Sequence, residues 1–478
     1  MNKAGGFPGP LLTFNNDYQD CGPMEAEERV SILLGNPRKA IITMAIPIII
    51  SLLVSQVNVL ADRAWCSGLG DDAMSAIAVA MPVYMTLVGL GSGFGVGASA
   101  VISRMIGAAD KDRASLSAVQ AVIFSLVFGL VMTPIMVFGQ DGLLSILGRD
   151  NILELTCTYM LPYSFCTIPI IFNGTVGGIL NGQGATQYSM LLMAVQAIVN
   201  IALDPIFIYV LDMGLQGAAI ATVIATVASV IIGTLLIISK KTYLPIRRKN
   251  IVYDKGCMRM LLAAGIPQML EYTVMYFMDA ILNYIVLMAE AGSHALTVYS
   301  VPDNLMNLIV IPAIAIGSAL IPVASSALGQ KDAERMRASF KYAFSRGILI
   351  VIALAIIVEL LPDQFLFIFS YSGEMLDNRP EMAEMLKVMC LYIGFFAFTP
   401  ICSGYMQAMG HPNRSLIVAL WRNFVLICFF WIAMQQPELT SFGWALVFGH
   451  MVGAATIFLV TMYTDRQVSK RIRAPNTV

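Results

Sequence analysis

Residues Asn200 to Thr222 read NIALDPIFIYVLDMGLQGAAIAT, an apolar stretch in which Asp204 has hydrophobic neighbours on both sides. In a helix, Asn200 would lie one turn before Asp204 on the same face. A carboxylate in hydrocarbon is costly, so it usually faces a bundle interior or a watery cavity and marks an ion path. A second acid, Asp62, occurs in the first apolar segment, VSQVNVLADRAW. Two such acids on different helices predict a membrane protein whose transport is coupled to a cation.

The overall composition also indicates a membrane protein. The chain has 478 residues, of which 58% are hydrophobic and 12% charged, and its mean hydropathy is +0.75. Soluble domains carry about 25% charged residues, so these values are typical of a chain that crosses the membrane many times. The predicted fold class is all-α and polytopic.

Several classes of site are absent from the sequence. The eight cysteines have no paired spacing and the three histidines form no HExxH motif, which argues against disulfides and a catalytic metal. No Walker A motif occurs, so ATP is not the energy source. No nucleophile–base or metal constellation suits an intramembrane enzyme. We therefore expect a protein that is not an enzyme, has no cofactor beyond a coupling H⁺ or Na⁺, and binds no nucleic acid.

Apolar segments of spanning length follow one another from Ile41 onward. Residues 1–40 show no short apolar run with a cleavage site, so we expect no removable signal peptide. We predict about twelve transmembrane helices, at 41–65, 73–100, 117–138, 155–180, 188–211, 217–239, 260–289, 294–327, 339–361, 383–408, 416–435 and 441–463. They divide the chain into an N-terminal segment (1–40), an N-lobe (41–239), a basic connector (240–259), a C-lobe (260–463) and a tail (464–478).

The basic residues favour one orientation in the membrane. With an even number of spans, most of the 29 Lys and Arg residues fall on the side that holds both chain ends. Because cytoplasmic loops are enriched in Lys and Arg, this asymmetry predicts that both termini are cytoplasmic. We expect a multi-pass plasma-membrane protein of a prokaryote that works as a monomer in the lipid bilayer.

The two sets of six spans look like a repeat. The loop SRMIGAADKDRA from Ser103 matches SSALGQKDAERM from Ser325, and LNGQGATQ at Leu180 matches MQAMGHPN at Met406, at offsets of 222 to 226 residues. Since orientation is unchanged after six helices, this predicts a parallel repeat about the membrane normal, with the substrate site between the halves.

A glycine run, GLGSGFGVGA (Gly89–Ala98), has two interpretations. It resembles a nucleotide-binding loop in composition, but no strand precedes it and it lies within an apolar span. Close packing of helices, or local flexibility, is the better explanation.

Several of these segments resemble the multidrug and toxic compound extrusion (MATE) family of transporters. They include PIIISLLVSQVNVLAD (Pro47–Asp62), GLGDDA from Gly68, ISRMIGAAD from Ile102 and LDPIFI with MGLQGAAIAT from Leu203. The resemblance extends from about residue 36 to 463. It implies a V-shaped, two-lobed exporter of amphipathic, often cationic compounds, driven by inward protons or sodium.

The resemblance also implies an ion site. In the branch that includes archaeal and DinF-like members, an N-lobe cluster matches Asp62, Asn200, Asp204 and Thr222 here, and bending at a proline matching Pro47 is linked to protonation. The NorM-like branch uses a Glu in the seventh helix and an Asp in the tenth. Here Glu271 falls about one turn before the expected Glu, and FFAFTP (Phe395–Pro400) stands where the Asp is expected, which argues against a complete site of that type. These four residues suit either ion, because hard cations favour carboxylate, amide and hydroxyl oxygens while paired buried carboxylates favour binding a proton. The sequence leaves the choice between proton and sodium open.

Further polar residues in the spans are candidates for contact with the substrate: Gln56, Asn58, Tyr159, Tyr163, Glu271 and Asp279. The alternative function is a flippase for lipids or lipid-linked sugars within the same superfamily. It would favour a more basic cleft for phosphate, whereas few basic residues, among them Arg63 and Arg422, accompany the acids in the predicted spans.

Overall fold

The computed structural model describes residues 26–147, 150–239, 241–244, 252–367 and 377–473. Parts of the predicted N-terminal segment (1–25), the basic connector (240 and 245–251) and the tail (474–478) lie outside the described residues. The described residues form helices joined by short turns, which confirms the predicted all-α class.

The first half of the chain forms α1 (Ala26–Leu34), α2 (Pro37–Cys66), α3 (Asp71–Gly107), α4 (Lys111–Leu147), α5 (Asp150–Phe165), α6 (Thr167–Gly182), α7 (Thr186–Pro205) and α8 (Gly214–Ile238). The second half forms α9 (Lys255–Leu287), α10 (Gly292–Ile309), α11 (Ile311–Gly329), α12 (Ala333–Leu360), α13 (Pro362–Phe367), α14 (Arg379–Phe396), α15 (Phe398–Ala408), α16 (Pro412–Ala433) and α17 (Thr440–Arg473). We use N-lobe for α2–α8 and C-lobe for α9–α17.

The number of spans agrees with the sequence prediction. Among the described residues, eleven helical segments are long and apolar enough to cross a membrane, and a twelfth span is formed by α5 and α6 together. Some helices extend well beyond the predicted limits: α17 continues to Arg473, whereas the sequence predicts an end at 463. Polar turns continue a helix past the hydrocarbon, so hydropathy alone places helix ends too early.

Three predicted single spans are each broken into two helices. The span predicted at 155–180 is α5 and α6, which meet at a 57° bend. The span at 294–327 is α10 and α11, and the span at 383–408 is α14 and α15. A proline lies in the first turn after each break, namely Pro169, Pro312 or Pro400. Because proline lacks an N–H and its ring clashes with the preceding turn, a break at these positions is expected.

The predicted repeat is visible in the backbone. Ala109 and Lys331, which are 222 positions apart, both adopt a left-handed conformation, with φ of 58° and 59°. The next residue in each lobe, Asp110 or Asp332, accepts a hydrogen bond from the backbone N–H three residues later, at 3.0 Å and 2.9 Å. Such caps satisfy free N–H groups at helix starts. The two lobes therefore use the same turn between their second and third spans.

The contacts between the lobes are reciprocal. α3 of the N-lobe packs against α9, and the repeat-related pair, α11 and α2, also packs together. A Cβ built on Gly107 would lie 2.1 Å from Ser326 O, and one built on the equivalent Gly329 would lie 2.1 Å from Arg104 O. A pseudo-two-fold axis therefore passes between the ends of α3 and α11. We call this end of the molecule the basic end, because Lys and Arg residues cluster at its turns.

The hydrophobic cores explain why the lobes separate at the other end. At the basic end the lobes share cores, since Met44 of α2 packs in a cluster with Leu320 of α11. Likewise, Leu261 of α9 packs in a cluster with Phe94 of α3. At the opposite end, one core contains described residues of the N-lobe alone and another contains those of the C-lobe alone. The lobes are thus joined at the basic end and have independent cores at the other.

The glycine run in α3 packs helices closely on two faces. A Cβ on Gly91 or Gly95 would lie within 2.4 Å of the α6 backbone, whereas one on Gly93 or Gly97 would lie within 2.7 Å of the α9 backbone. Residues four apart share a helix face, so the first pair serves the N-lobe interior and the second pair serves the contact between lobes. The interpretation as a packing motif is confirmed.

Candidate functional site

Three of the four predicted ion-site residues meet between α7 and α8. The side-chain amide of Asn200 donates to Asp204 Oδ1 at 2.9 Å and to Thr222 Oγ1 at 3.3 Å. The Thr222 hydroxyl in turn donates to the Ala218 carbonyl at 3.0 Å, one turn earlier in α8. Asn200 and Asp204 are 0% and 1% exposed. These two helices therefore hold a carboxyl group inside the N-lobe with an amide directed at it.

Asp62 of α2 completes the group. Its carboxyl group lies close enough to that of Asp204 for the two to interact, and α2 packs against α7. Two neighbouring carboxylates repel strongly away from water, and a proton or a cation bound between them removes this repulsion. We call Asp62, Asn200, Asp204 and Thr222 the N-lobe acid cluster.

The cluster is rich in acceptors that lack donors. Four buried side-chain oxygens in and beside it have no hydrogen-bond partner within the described part of the chain: Asn58 Oδ1, Asp62 Oδ1, Asn200 Oδ1 and Asp204 Oδ2. Leaving a buried acceptor unpaired costs about 1–3 kcal/mol. A proton turns a carboxylate oxygen into a donor, and a hard cation binds carboxylate and amide oxygens directly. The chemistry of these atoms therefore fits a proton or a small hard cation.

The helix that carries Asn200 and Asp204 changes form directly after them. α7 ends at Pro205, and Ile206–Val210 continues as a π-helical turn. Proline cannot donate a backbone hydrogen bond, and single π-turns occur often at functional sites. Within this turn the Tyr209 hydroxyl donates to the Trp65 carbonyl, near the end of α2. The irregular turn thus connects the two helices that carry the acids.

Tyr159 and Tyr163, which the sequence suggested as cleft-lining residues, are buried beside the acid cluster. They are 7% and 2% exposed, and their hydroxyl groups are 3.2 Å apart. Tyr163 also lies close enough to Thr222 to interact with it, and its ring centroid lies 4.4 Å from that of Tyr84 on α3. The tyrosines therefore link the cluster to α3 and α5. Tyr84 was not singled out from sequence, because one tyrosine in an apolar span carries no distinguishing signal.

The remaining N-lobe candidates lie along α2. Gln56 and Asn58 are half-buried, and Pro47 is buried. α2 continues as one helix through Pro47, and the Ser51 hydroxyl donates to the Pro47 carbonyl at 2.9 Å. The proline leaves one carbonyl of the preceding turn without its usual helical donor, which makes this part of α2 easier to bend than the rest.

The two C-lobe candidates differ in their surroundings. Both oxygens of Glu271 accept hydrogen bonds, from Ser403 and Ser415, each at 3.0 Å. This carboxylate therefore ties α9 to α15 and α16. Asp279, two turns later in α9, is exposed. Arg422 lies close enough to both acids to interact with them electrostatically. The serines were not predicted, because isolated serines are common in apolar spans.

The family follows from a sequence match that spans both lobes. The MatE family model matches residues 47–206 and 267–432. The chain belongs to the MATE family. The first matched segment runs from α2 to the start of the π-turn and the second from α9 to the end of α16, so each covers most of one lobe. Within the described residues, no three His, Cys, Asp or Glu side chains are grouped so that they could hold a metal ion.

Individual MATE proteins are similar over nearly the whole chain. The multidrug export protein MepA of Staphylococcus aureus (strain MSSA476) is 26% identical over 435 residues, which cover 90% of this chain and 94% of that protein. A crystal structure of a MATE protein in complex with MaL6 superimposes with a TM-score of 0.89 at 29% identity, covering 93% of this chain and 99% of the other. An outward-facing MATE multidrug resistance transporter of the MOP superfamily gives a TM-score of 0.87 at 29% identity, with the same coverage.

Proposed function

We propose that this MATE protein is a secondary active multidrug exporter. It moves amphipathic, cationic compounds out of the cell in exchange for protons or sodium ions that enter. The proposal is supported by the family, by similarity to a protein named for multidrug export, and by the N-lobe acid cluster. The observation that carries it is the set of four buried oxygens without donors around Asp62 and Asp204.

In the proposed cycle, the coupling ion binds between Asp62 and Asp204. Binding removes the repulsion between the two carboxylates and satisfies their free oxygens, which changes the preferred packing of α2 on α7. The flexible part of α2 at Pro47 takes up the movement. Substrate then leaves the cleft, and the lobes rock about the axis between them to expose the cleft to the other side.

The distribution of basic residues supports an orientation in the membrane and a side to which the cleft opens. The basic end corresponds to the cytoplasmic side by the positive-inside rule, which puts both termini in the cytoplasm of a prokaryotic cell. The lobes are joined at that end and have separate cores at the other. The described conformation then opens outward, and its similarity to an outward-facing MATE transporter supports this assignment.

Recognition of the substrate uses acids and polar groups outside the cluster. Asp279 is exposed and offers a negative charge to a cationic compound. Gln56 and Asn58 of α2 contribute neutral polar groups, next to the helix face that carries Asp62. Competition between substrate and ion for the same helix would couple their movements.

A reconstituted assay tests the proposal. Purified protein in liposomes is given a pH gradient or a sodium gradient separately, and movement of a fluorescent cationic dye is followed. Asp204→Asn removes the buried charge, while Asp212→Asn is the matched control, because Asp212 is an exposed acid with φ of 53°, a conformation that asparagine also adopts. We expect gradient-driven dye transport in the wild type and in Asp212→Asn, and its loss in Asp204→Asn.

The outcome also identifies the ion. Transport driven by protons alone establishes a proton antiporter, and transport driven by sodium alone establishes sodium coordination at the same residues. If Asp204→Asn transports dye as well as the control does, the acid cluster is not the coupling site. If neither gradient moves dye and a lipid-flipping assay is positive, the protein is a flippase.

A further inference from the structure

The short helix α1 lies across the junction of the two lobes at the basic end. Val30 is 5% exposed and packs in a hydrophobic cluster that includes residues of α3, α4, α6 and α9. Leu33 is 0% exposed and packs in a second cluster, which includes residues of α2, α11 and α15. Residues three apart lie near each other on a helix, so adjacent positions of one helix face enter two different cores.

The first turn of α1 is fixed to the N-lobe. Arg29 is 4% exposed, which is unusual for an arginine. Its guanidinium donates to the Lys241 carbonyl at 2.6 Å, beyond the end of α8, and lies 4.7 Å from the centre of the Tyr188 ring on α7. A Cβ built on Gly184 would lie 3.2 Å from Arg29 O, so the backbones approach closely there.

The last turn of α1 is fixed to the C-lobe. Arg335 of α12 donates to the Leu33 carbonyl at 2.5 Å and to the Gly35 carbonyl at 3.0 Å. Ser326 of α11 donates to the same Leu33 carbonyl at 3.4 Å. The last carbonyls of a helix lack intrahelical donors and carry partial negative charge, so a guanidinium is a favourable partner.

We propose that α1 is a strap that holds the lobes together at the basic end, with Arg29 and Arg335 as its positioning residues. Because the two ends of this helix are bound to different lobes, the lobes separate at the basic end only if one set of contacts breaks. The strap therefore sets the balance between the two conformations of the transport cycle. This inference rests on the rocking movement in the proposed function, and it adds an element outside the twelve spans.

Hydrogen–deuterium exchange of the full-length protein in detergent, without any gradient, tests the strap. Arg335→Ala removes the strongest hydrogen bonds to the C-lobe, and Arg29→Ala removes the hydrogen bond to Lys241 on the N-lobe side. We expect exchange in both variants to rise in residues 99–107 of α3 and 319–329 of α11, which are buried where the lobes meet. A roughly tenfold rise corresponds to about 1.4 kcal/mol of shifted equilibrium. Arg335→Lys retains a donor for the Leu33 carbonyl and should restore much of the protection.

Lys39→Ala is the matched control, since Lys39 is an exposed basic residue at the start of α2, five residues after α1 ends. Hydrogen–deuterium exchange of Lys39→Ala should match that of the wild type in both segments. The proposal is overturned if faster exchange in Arg29→Ala and Arg335→Ala is confined to residues 26–35, because α1 would then fray without loosening the lobes. The readout needs neither substrate nor ion, so the strap can be supported even where gradient-driven export fails, and can fail where export is intact.

Discussion

Replacing Gly97 with alanine tests how the two lobes are held together. Gly97 lies on the face of α3 that contacts α9, and a Cβ built on it would lie 2.5 Å from both Cα and N of Gly265. Cβ atoms essentially never come within 3.0 Å of a heavy atom outside their own and the adjacent residues. The atoms in the way belong to the backbone, so a change of side-chain rotamer cannot relieve the contact. The helices α3 and α9 must move apart to accommodate one methyl group.

The expected magnitude follows from two opposing effects. Forcing an extra methyl group into a close-packed interior costs about 1–3 kcal/mol. Alanine is otherwise the better helix former, by about 1 kcal/mol over glycine. Gly139 of α4 isolates the second effect, because no heavy atom lies within 4 Å of a Cβ built there. Both variants gain the same helix propensity, which cancels in the comparison, so Gly97→Ala and Gly139→Ala should differ in stability by the packing cost, about 1–3 kcal/mol.

Thermal unfolding of the purified variants in one detergent measures this difference. We expect Gly97→Ala to lower the melting temperature and Gly139→Ala to leave it unchanged or raise it. In the liposome assay, Gly97→Ala should also slow dye export, because its lobes no longer close fully at the basic end. Equal melting temperatures for the two variants would contradict the conclusion that α3 and α9 meet backbone to backbone.

Further substitutions test single features. Asn200→Leu removes the amide that donates to Asp204. Since an unpaired buried acceptor costs about 1–3 kcal/mol, we expect this variant to be less stable than the wild type. When Asn200→Leu is combined with Asp204→Asn, the two changes in unfolding free energy should not add. Ser403→Ala together with Ser415→Ala removes both donors to Glu271, so we expect this double variant to melt at a lower temperature than the wild type, whereas Glu271→Gln should not. Asp279→Asn should leave stability unchanged and weaken the binding of cationic dye. Burial, with help from the nearby charges of Arg414, Arg471 and Arg104, lowers the pKa of His411 below its usual 6.5. The unfolded chain then takes up a proton before the folded one, so stability should fall as the pH drops below about 6.5, and melting curves of His411→Asn should show a smaller fall.

The sequence predicts much of the fold because membrane helices follow simple rules. Apolar length alone predicts twelve spans, and the loop motifs at Ser103 and Ser325 predict the repeat, which the matched φ angles of Ala109 and Lys331 confirm. The N-lobe acids were predicted as one site from their cost in hydrocarbon and from family resemblance. The structure brings Asp62, Asn200, Asp204 and Thr222 together. Their role as the ion site stays a prediction.

Other features depend on three-dimensional contacts that hydropathy does not encode. The breaks before Pro169, Pro312 and Pro400 were missed, because a run of apolar residues reads as one span whether or not its helix is continuous. Within the described residues, the carboxylate of Glu271 is satisfied by serines from two other helices, which no local pattern indicates. The strap α1 was included in a polar N-terminal segment, since nine residues are too few for a transmembrane signal.

One helix connects the acid cluster to the contact between the lobes. The first half of α2 packs with the C-lobe through Ile41 and Met44, and its second half carries Asp62, in contact with Asp204 of α7. Pro47 lies between these halves and weakens the helix there. A change in the attraction between Asp62 and Asp204 acts on the second half of α2, and the first half can respond independently only if the helix bends. α1 adds to this arrangement, because it precedes α2 by two residues and is fixed to both lobes. Ion binding therefore changes the forces on the second half of α2 while the first half is held at the basic end. The bend that results at Pro47 provides a physical route from ion binding to separation of the lobes.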